Sequence, residues 1–267
     1  MSDNTLPRLS SADQQRLAQA RQLLESPGLA ARFSDKLGSP IEAGLRRLPA
    51  GWREKVNNLT QYALKKALKA AISSMGEGTG KPPSPRLHKL AVATSGGVGG
   101  VFGLSALALE LPVSTTLILR AIADIARSEG EDLHHPDSQL ACLTVFALGG
   151  SGASDDGADS GYFAVRAALA QSVSQAAEHL ASRGLTQEGA PVLVKLITSV
   201  AQRFSVQVSQ KVAAQAIPAI GAVGGATINT LFIDHYQRMA KGHFAIRALE
   251  REYGAEAVKA AYLALPG

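Results

Sequence analysis

With 267 residues, 46% of them hydrophobic and 18% charged, the chain has enough apolar material for one large core or two small ones, which excludes disorder as its default state. Aromatic residues make up only 5% while glycine occurs 26 times beside abundant alanine, a composition for closely packed helices rather than a β-sandwich, so an all-α protein is expected. The net charge of +5 is concentrated in residues 1–89, which hold 15 basic and 7 acidic side chains against 12 and 15 in residues 90–267.

The N-terminal stretch MSDNTLPRLSSADQQ has no basic segment followed by an apolar one, which argues against secretion. In SSADQQRLAQARQLLES, Ser11 stands three residues before Gln14 as in a capping box, and SPG at 26–28 stops the helix. From Trp52 to Met75 the spacing places Trp52, Val56, Leu59, Ala63 and Ala67 on one helical face, with Lys55, Lys65, Lys66 and Lys69 to the side. This basic amphipathic helix either docks on its own protein with solvated lysines or lies on an anionic membrane with Trp52 at the interface. Nucleic acid is the poorer partner, because no stacking or recognition motif accompanies the charge.

GEGTGKPPSP at 76–85 is a linker, dividing a basic helical N-terminal region, 1–80, from a helical core domain, 81–267. Leu90 to Leu109 is a run of uncharged residues ended by Glu110, and a helix is expected from Pro112 to Gly130. On it Thr116, Arg120, Asp124 and Arg127 share one face and Ile118, Ile122 and Ile125 the other. The polar stripe reads as solvated ion pairs or as one wall of a pocket beside Glu110. A short apolar helix over Pro136–Leu148 and an acidic loop at 149–161 follow, then helices near 161–183 and 191–216.

A second uncharged run, Val212 to Ile233, reaches the ~20 residues that a bilayer crossing needs. Gln215, Pro218, Asn229 and three glycines weaken that reading in favour of a core helix begun at Pro218. Both runs carry glycines at small-xxx-small spacing, Gly96, Gly99, Gly100 and Gly103 in the first and Gly221, Gly224 and Gly225 in the second, which suits close packing of two helices or a degenerate repeat. Downstream, His235 and His243 fall on the apolar side of the helix, about 12 Å apart along its axis. That is too far to share a metal ion, so they either hydrogen-bond within the core or line one cavity at two depths. Asn229 needs partners for its amide.

Catalytic and cofactor motifs are absent or broken. GTGK at 78–81 is followed by Pro82 where a phosphate loop needs Ser or Thr, and GVGGVFG at 97–103 misses the dinucleotide spacing by one residue. GGSGA at 149–153 lacks the closing glycine of a nucleophile elbow, and DDGAD does not follow the calcium-loop order. Cys142, the only cysteine, excludes an intramolecular disulfide and a cysteine zinc cluster and suits a reducing compartment. No cofactor or metal is expected.

Three stretches, GGVGGVFGLSALALELPVSTTLILRAIADIARSEGEDL, LTVFALGG and IPAIGAVGGATINTLFIDHYQRMAKGHFAIRALEREYG, resemble the EcsC protein family of bacteria over roughly residues 85–255. The residues carrying the resemblance are Glu110, Pro112, Thr115, Arg120, Asp124, Gly149, Gly150, Gly221, Gly224, Gly225, Asn229, Phe232, His235, His243 and Phe244. The resemblance implies a genomic setting, since one member is encoded beside an ABC transporter, and no reaction. The expected protein is therefore a compact helical bundle around two Gly-rich helices, cytoplasmic and peripheral at the inner face of the cytoplasmic membrane, which binds a lipid or other amphipathic ligand. Glu110, Thr115, Arg120, Asp124, Asn229, His235 and His243 are the candidate polar site. A hydrolase using Glu110, Asp124 and a histidine with Arg120, and an accessory protein of an ABC transporter, are the alternatives.

Overall fold

The structure, a computed structural model, describes residues 8–25, 27–37, 41–75, 103–150, 161–184, 191–216 and 221–266, and every regular element among them is helical. The short helices α1 (Ser11–Leu24), α2 (Leu29–Leu37) and α3 (Ile41–Leu45) lead into α4 (Trp52–Met75). After α5 (Gly103–Ser128) come α6 (Pro136–Thr144), a 3-10 turn (Val145–Ala147), α7 (Gly161–Arg183), α8 (Pro191–Gln215), α9 (Gly221–Tyr253) and α10 (Ala255–Leu263).

The first cap lies one residue earlier than expected. Ser10 Oγ accepts the Asp13 backbone N–H at 3.2 Å, satisfying one of the orphan donors of α1.

Helix α5 differs more. The end of the first uncharged run and the amphipathic segment behind it form one helix, with Pro112 inside rather than at the start. Proline removes its own N–H from the ladder and its ring crowds the carbonyl four residues back, so the helix continues only where packing offsets that cost. Burial on either side of it, at Leu107 and Leu111 and at Ser114, Thr115 and Ile118, favours continuing the helix.

The second uncharged run is divided instead. Residues 212–215 end α8, and α9 begins at Gly221, so the run is not one span. Among the described residues no helix is long and apolar enough to cross a membrane. Gly96, Gly99 and Gly100 lie outside the described residues; Gly103 and Gly221 open α5 and α9, Gly224 lies in the first turn of α9, and Gly225 is buried. The two helices do pack on each other.

Around this pair, α4 lies along α5 and α8, α1 crosses α9, and α7 is flanked by α6 and α8. One hydrophobic cluster contains Leu17 and Phe33 as well as Phe146, Phe204 and Phe232, so the N-terminal helices share the core of the rest. At its centre Phe146 stacks obliquely on Phe204 and Tyr236, with ring centroids 4.7 and 5.1 Å apart. The crossing of α1 over α9 depends on Gly242, where a Cβ would stand 2.7 Å from Leu24 Cγ and 2.9 Å from the Ala20 carbonyl oxygen.

Candidate functional site

The polar residues singled out in the sequence separate into three enclosed groups and an exposed stripe. The first group joins α5 to α8. Glu110 is buried, and its Oε1 accepts a hydrogen bond at 2.5 Å from Lys211 Nζ, which also lies 5.0 Å from the centroid of the Phe232 ring. Such a pair is tolerable in the core only because each charge offsets the other. Thr115 and Asn229 are buried too, and Thr115 Oγ1 has no hydrogen-bond partner. Lys211 was missed by sequence reasoning. Its signal was its spacing, since it follows Phe204 and Val208 at i+7 and i+3 and so sits on the apolar stripe of α8.

The second group is formed by the turn after the 3-10 segment. Gly149 has φ +71°, and a Cβ on it would come within 2.5 Å of His235 Cε1 and 2.7 Å of Met239 Sδ. Both backbone freedom and space therefore require glycine there. Next to it, Gln207 Nε2 donates to the Leu148 carbonyl at 3.3 Å. Burial lowers the His235 pKa to about 3, reinforced by the positive charges of Arg32 and Arg238 and opposed by a hydrogen bond to the Leu148 backbone. His235 is consequently neutral at pH 7 and acts as a packed, uncharged wedge between α9 and this turn.

The third group borders a cavity of about 410 Å³ between α6, α7, the second half of α9 and α10. Its apolar wall includes Ala141, Leu148, Phe163, Leu169 and Val173, and its polar side is built by His243, Arg166, Arg247 and Glu250. Arg166 makes a fork to Glu250, Nη1 to Oε1 at 2.6 Å and Nη2 to Oε2 at 2.9 Å, and also donates to the Tyr162 hydroxyl at 3.3 Å. The guanidinium lies over the Tyr162 and Phe163 rings, 5.4 and 5.7 Å from their centroids. Arg247 makes a second fork to the buried Glu131, at 2.8 and 3.0 Å, and Glu131 accepts from Arg251 and Ser138 as well. Burial pushes the Glu131 carboxyl up, but the hydrogen bonds from Arg247 and Ser138 and the two arginine charges outweigh it, leaving the pKa below the ordinary carboxylate value.

His243 is the innermost polar residue of this wall. Burial, with Arg166 and Arg247 nearby, holds its pKa well below the usual histidine value, so the ring is neutral. Tyr162 Oη lies 2.9 Å from His243 Nδ1, with which it shares a hydrogen bond, and accepts from Arg166. The other ring nitrogen of His243, Nε2, is enclosed and has no partner. His235 and His243 thus serve different environments and do not line one cavity.

The remaining candidates are at the surface. Arg120 is exposed, and Asp124 pairs with Arg127 of the same helix at 3.1 Å, the ion-pair stripe that the helical wheel allowed. Fourteen residues of α5 separate Glu110 from Asp124, about 21 Å of axial rise, so they cannot serve one reacting bond as acid and base. On α4, Lys55, Lys65, Lys66 and Lys69 are exposed, whereas Trp52 is partly buried and packed against the core. Among the described residues no group of His, Cys, Asp and Glu is placed to hold a metal ion.

No curated protein and no solved structure matches the chain. Residues 30–249 do match the EcsC protein family, taking in α2–α4 as well as the stretches from which the resemblance was read. Since that match spans most of the chain, from the basic N-terminal helices to the cavity on α9, the chain belongs to the EcsC protein family.

Proposed function

We propose that the protein binds a small amphipathic molecule in the cavity between α6, α7, α9 and α10, and that the basic face of α4 rests on an anionic membrane surface. The observation that carries the reading is the division of the cavity wall. Phe163, Leu169 and Val173 offer an apolar side while two arginine forks and a neutral histidine form the other. Its volume of about 410 Å³ falls at the lower end of the ~300–1,000 Å³ typical of small-molecule sites, room for a compact amphiphile or one end of a larger one. The four exposed lysines of α4 and the absence of a spanning helix among the described residues support surface attachment.

Native mass spectrometry of the purified chain tests the first half of the reading. A retained lipid-like molecule that is lost when Val173→Trp fills the cavity is expected. A chain that carries no such molecule, and takes up none from mixed-lipid extracts, would overturn it.

A further inference from the structure

The hydrogen-bond inventory of the two arginine forks goes one step beyond the reading of an amphiphile site, on which this inference rests. Arg166 uses both Nη1 hydrogens and one on Nη2 for Glu250 and Tyr162, leaving Nε–H unspent. Arg247 uses Nε and one Nη2 hydrogen for Glu131, leaving Nη1 unspent. Neither of these two nitrogens is among the fully enclosed atoms that lack a partner, unlike Nε2 of His243, and the Arg166 and Arg247 side chains keep 27% and 26% of their surface exposed. Both residues also line the cavity.

The carboxylate balance favours a further acceptor at this end. Glu131 already receives four hydrogen bonds, two on each oxygen, from Arg247, Arg251 and Ser138 and has little left for another donor. Glu250 serves the Arg166 fork from the side away from Nε. Of the other charged residues of the cavity wall, Lys259 is half-buried, and Asp137 and Glu256 are exposed and screened by water. His243, being neutral, adds no charge of its own to this wall. Planar guanidinium edges with spare N–H groups match carboxylate and phosphate oxygens better than a hydroxyl or ether, because charge-assisted hydrogen bonds are about twice as strong as neutral ones.

We infer that the head group received by this cavity is an oxyanion, a carboxylate or phosphate monoester on an apolar chain, bound by Arg247 Nη1 and Arg166 Nε–H while the chain lies along Phe163, Leu169 and Val173.

Titration calorimetry of the full chain with decanoate, decyl phosphate and 1-decanol, each below its micelle-forming concentration, tests this. At least one of the anions is expected to bind about tenfold or more tightly than decanol, and comparing the two anions identifies which oxyanion fits. In R166Q/E250Q, where fork and partner are removed together so that no carboxylate is left unpaired, that advantage should shrink towards one. Arg166→Lys, which keeps the charge and loses the planar edge, should weaken anion binding several-fold more than decanol binding, and it serves if the double variant does not fold. Equal affinity for decanol and both anions would overturn the inference and leave the amphiphile reading standing. Binding of none of the three would remove both.

Discussion

Lys211 Nζ and Glu110 Oε1 meet 2.5 Å apart in the interior although 101 positions separate them in the chain. Removing one partner leaves the other as an uncompensated buried charge, which typically costs about 3–5 kcal/mol. Lys211→Met is therefore expected to lower the stability to urea by that amount. The double variant E110L/K211M, which leaves no charge behind, should recover most of the loss. A loss in the double variant equal to the sum of the Lys211→Met and Glu110→Leu losses would mean that the pair is not coupled.

Gly149 is held by two requirements at once, and Gly184 separates them. Gly184 has φ +63° and nothing within 4 Å of an added Cβ, so Gly184→Ala should cost only the left-handed backbone strain, about 1–2 kcal/mol. Gly149→Ala adds a clash with His235 and Met239 to that strain and should lower the melting temperature clearly further. Similar shifts in the two variants would show that the His235 contact yields freely.

Acid should destabilise the fold through its two buried histidines. Above pH 6.5, the ordinary histidine value, both are neutral folded or unfolded. Below it the unfolded chain takes up protons that the folded chain refuses, until the pH reaches the folded value, about 3 for His235. Within that window each histidine removes about 1.4 kcal/mol per pH unit. Urea midpoints between pH 8 and pH 5 should be flat at first and then fall, and His243→Gln should roughly halve the slope at the acid end. A wild-type midpoint constant down to pH 5 would place both rings in ordinary titration.

Tyr162 orders the polar side of the cavity, accepting from Arg166 and sharing a hydrogen bond with His243 Nδ1. Tyr162→Phe leaves His243 Nδ1 without its partner, a loss of about 1–3 kcal/mol for an enclosed polar atom. The imidazole tautomer should then no longer be held, and nitrogen chemical shifts of His243 are the readout. An unchanged tautomer would mean that another group sets it.

The lysines of α4 are solvent-exposed, so K65E/K66E/K69E should alter stability by no more than about 0.5 kcal/mol per substitution. Sedimentation with anionic vesicles should nevertheless be lost. Binding that survives the charge reversal would remove α4 as the membrane-facing surface.

Much of this protein could be read along the chain. The all-α class follows from composition and from apolar residues recurring at helical spacing, and α7 and α8 appear near their expected limits because each is a long periodic segment. The burial of Glu110, Asn229, His235 and His243 was likewise visible, since each lies in or beside an uncharged run or on an apolar helical face. Proline was the misleading signal: Pro112 reads locally as a start, but burial on both sides of it carries α5 through.

Partners across the core were not visible in that way. Whether Glu110 faces Arg120 or Lys211, and whether two histidines on one helix share a cavity or occupy two separate environments, depends on which helices cross and at what rotation. Those choices arise from side chains more than 80 positions apart, as with Tyr162 and His243 or Arg166 and Glu250, brought together by packing around a common core. Helical periodicity states which side of a helix turns inward. The burial of all the faces together sets what each one meets there.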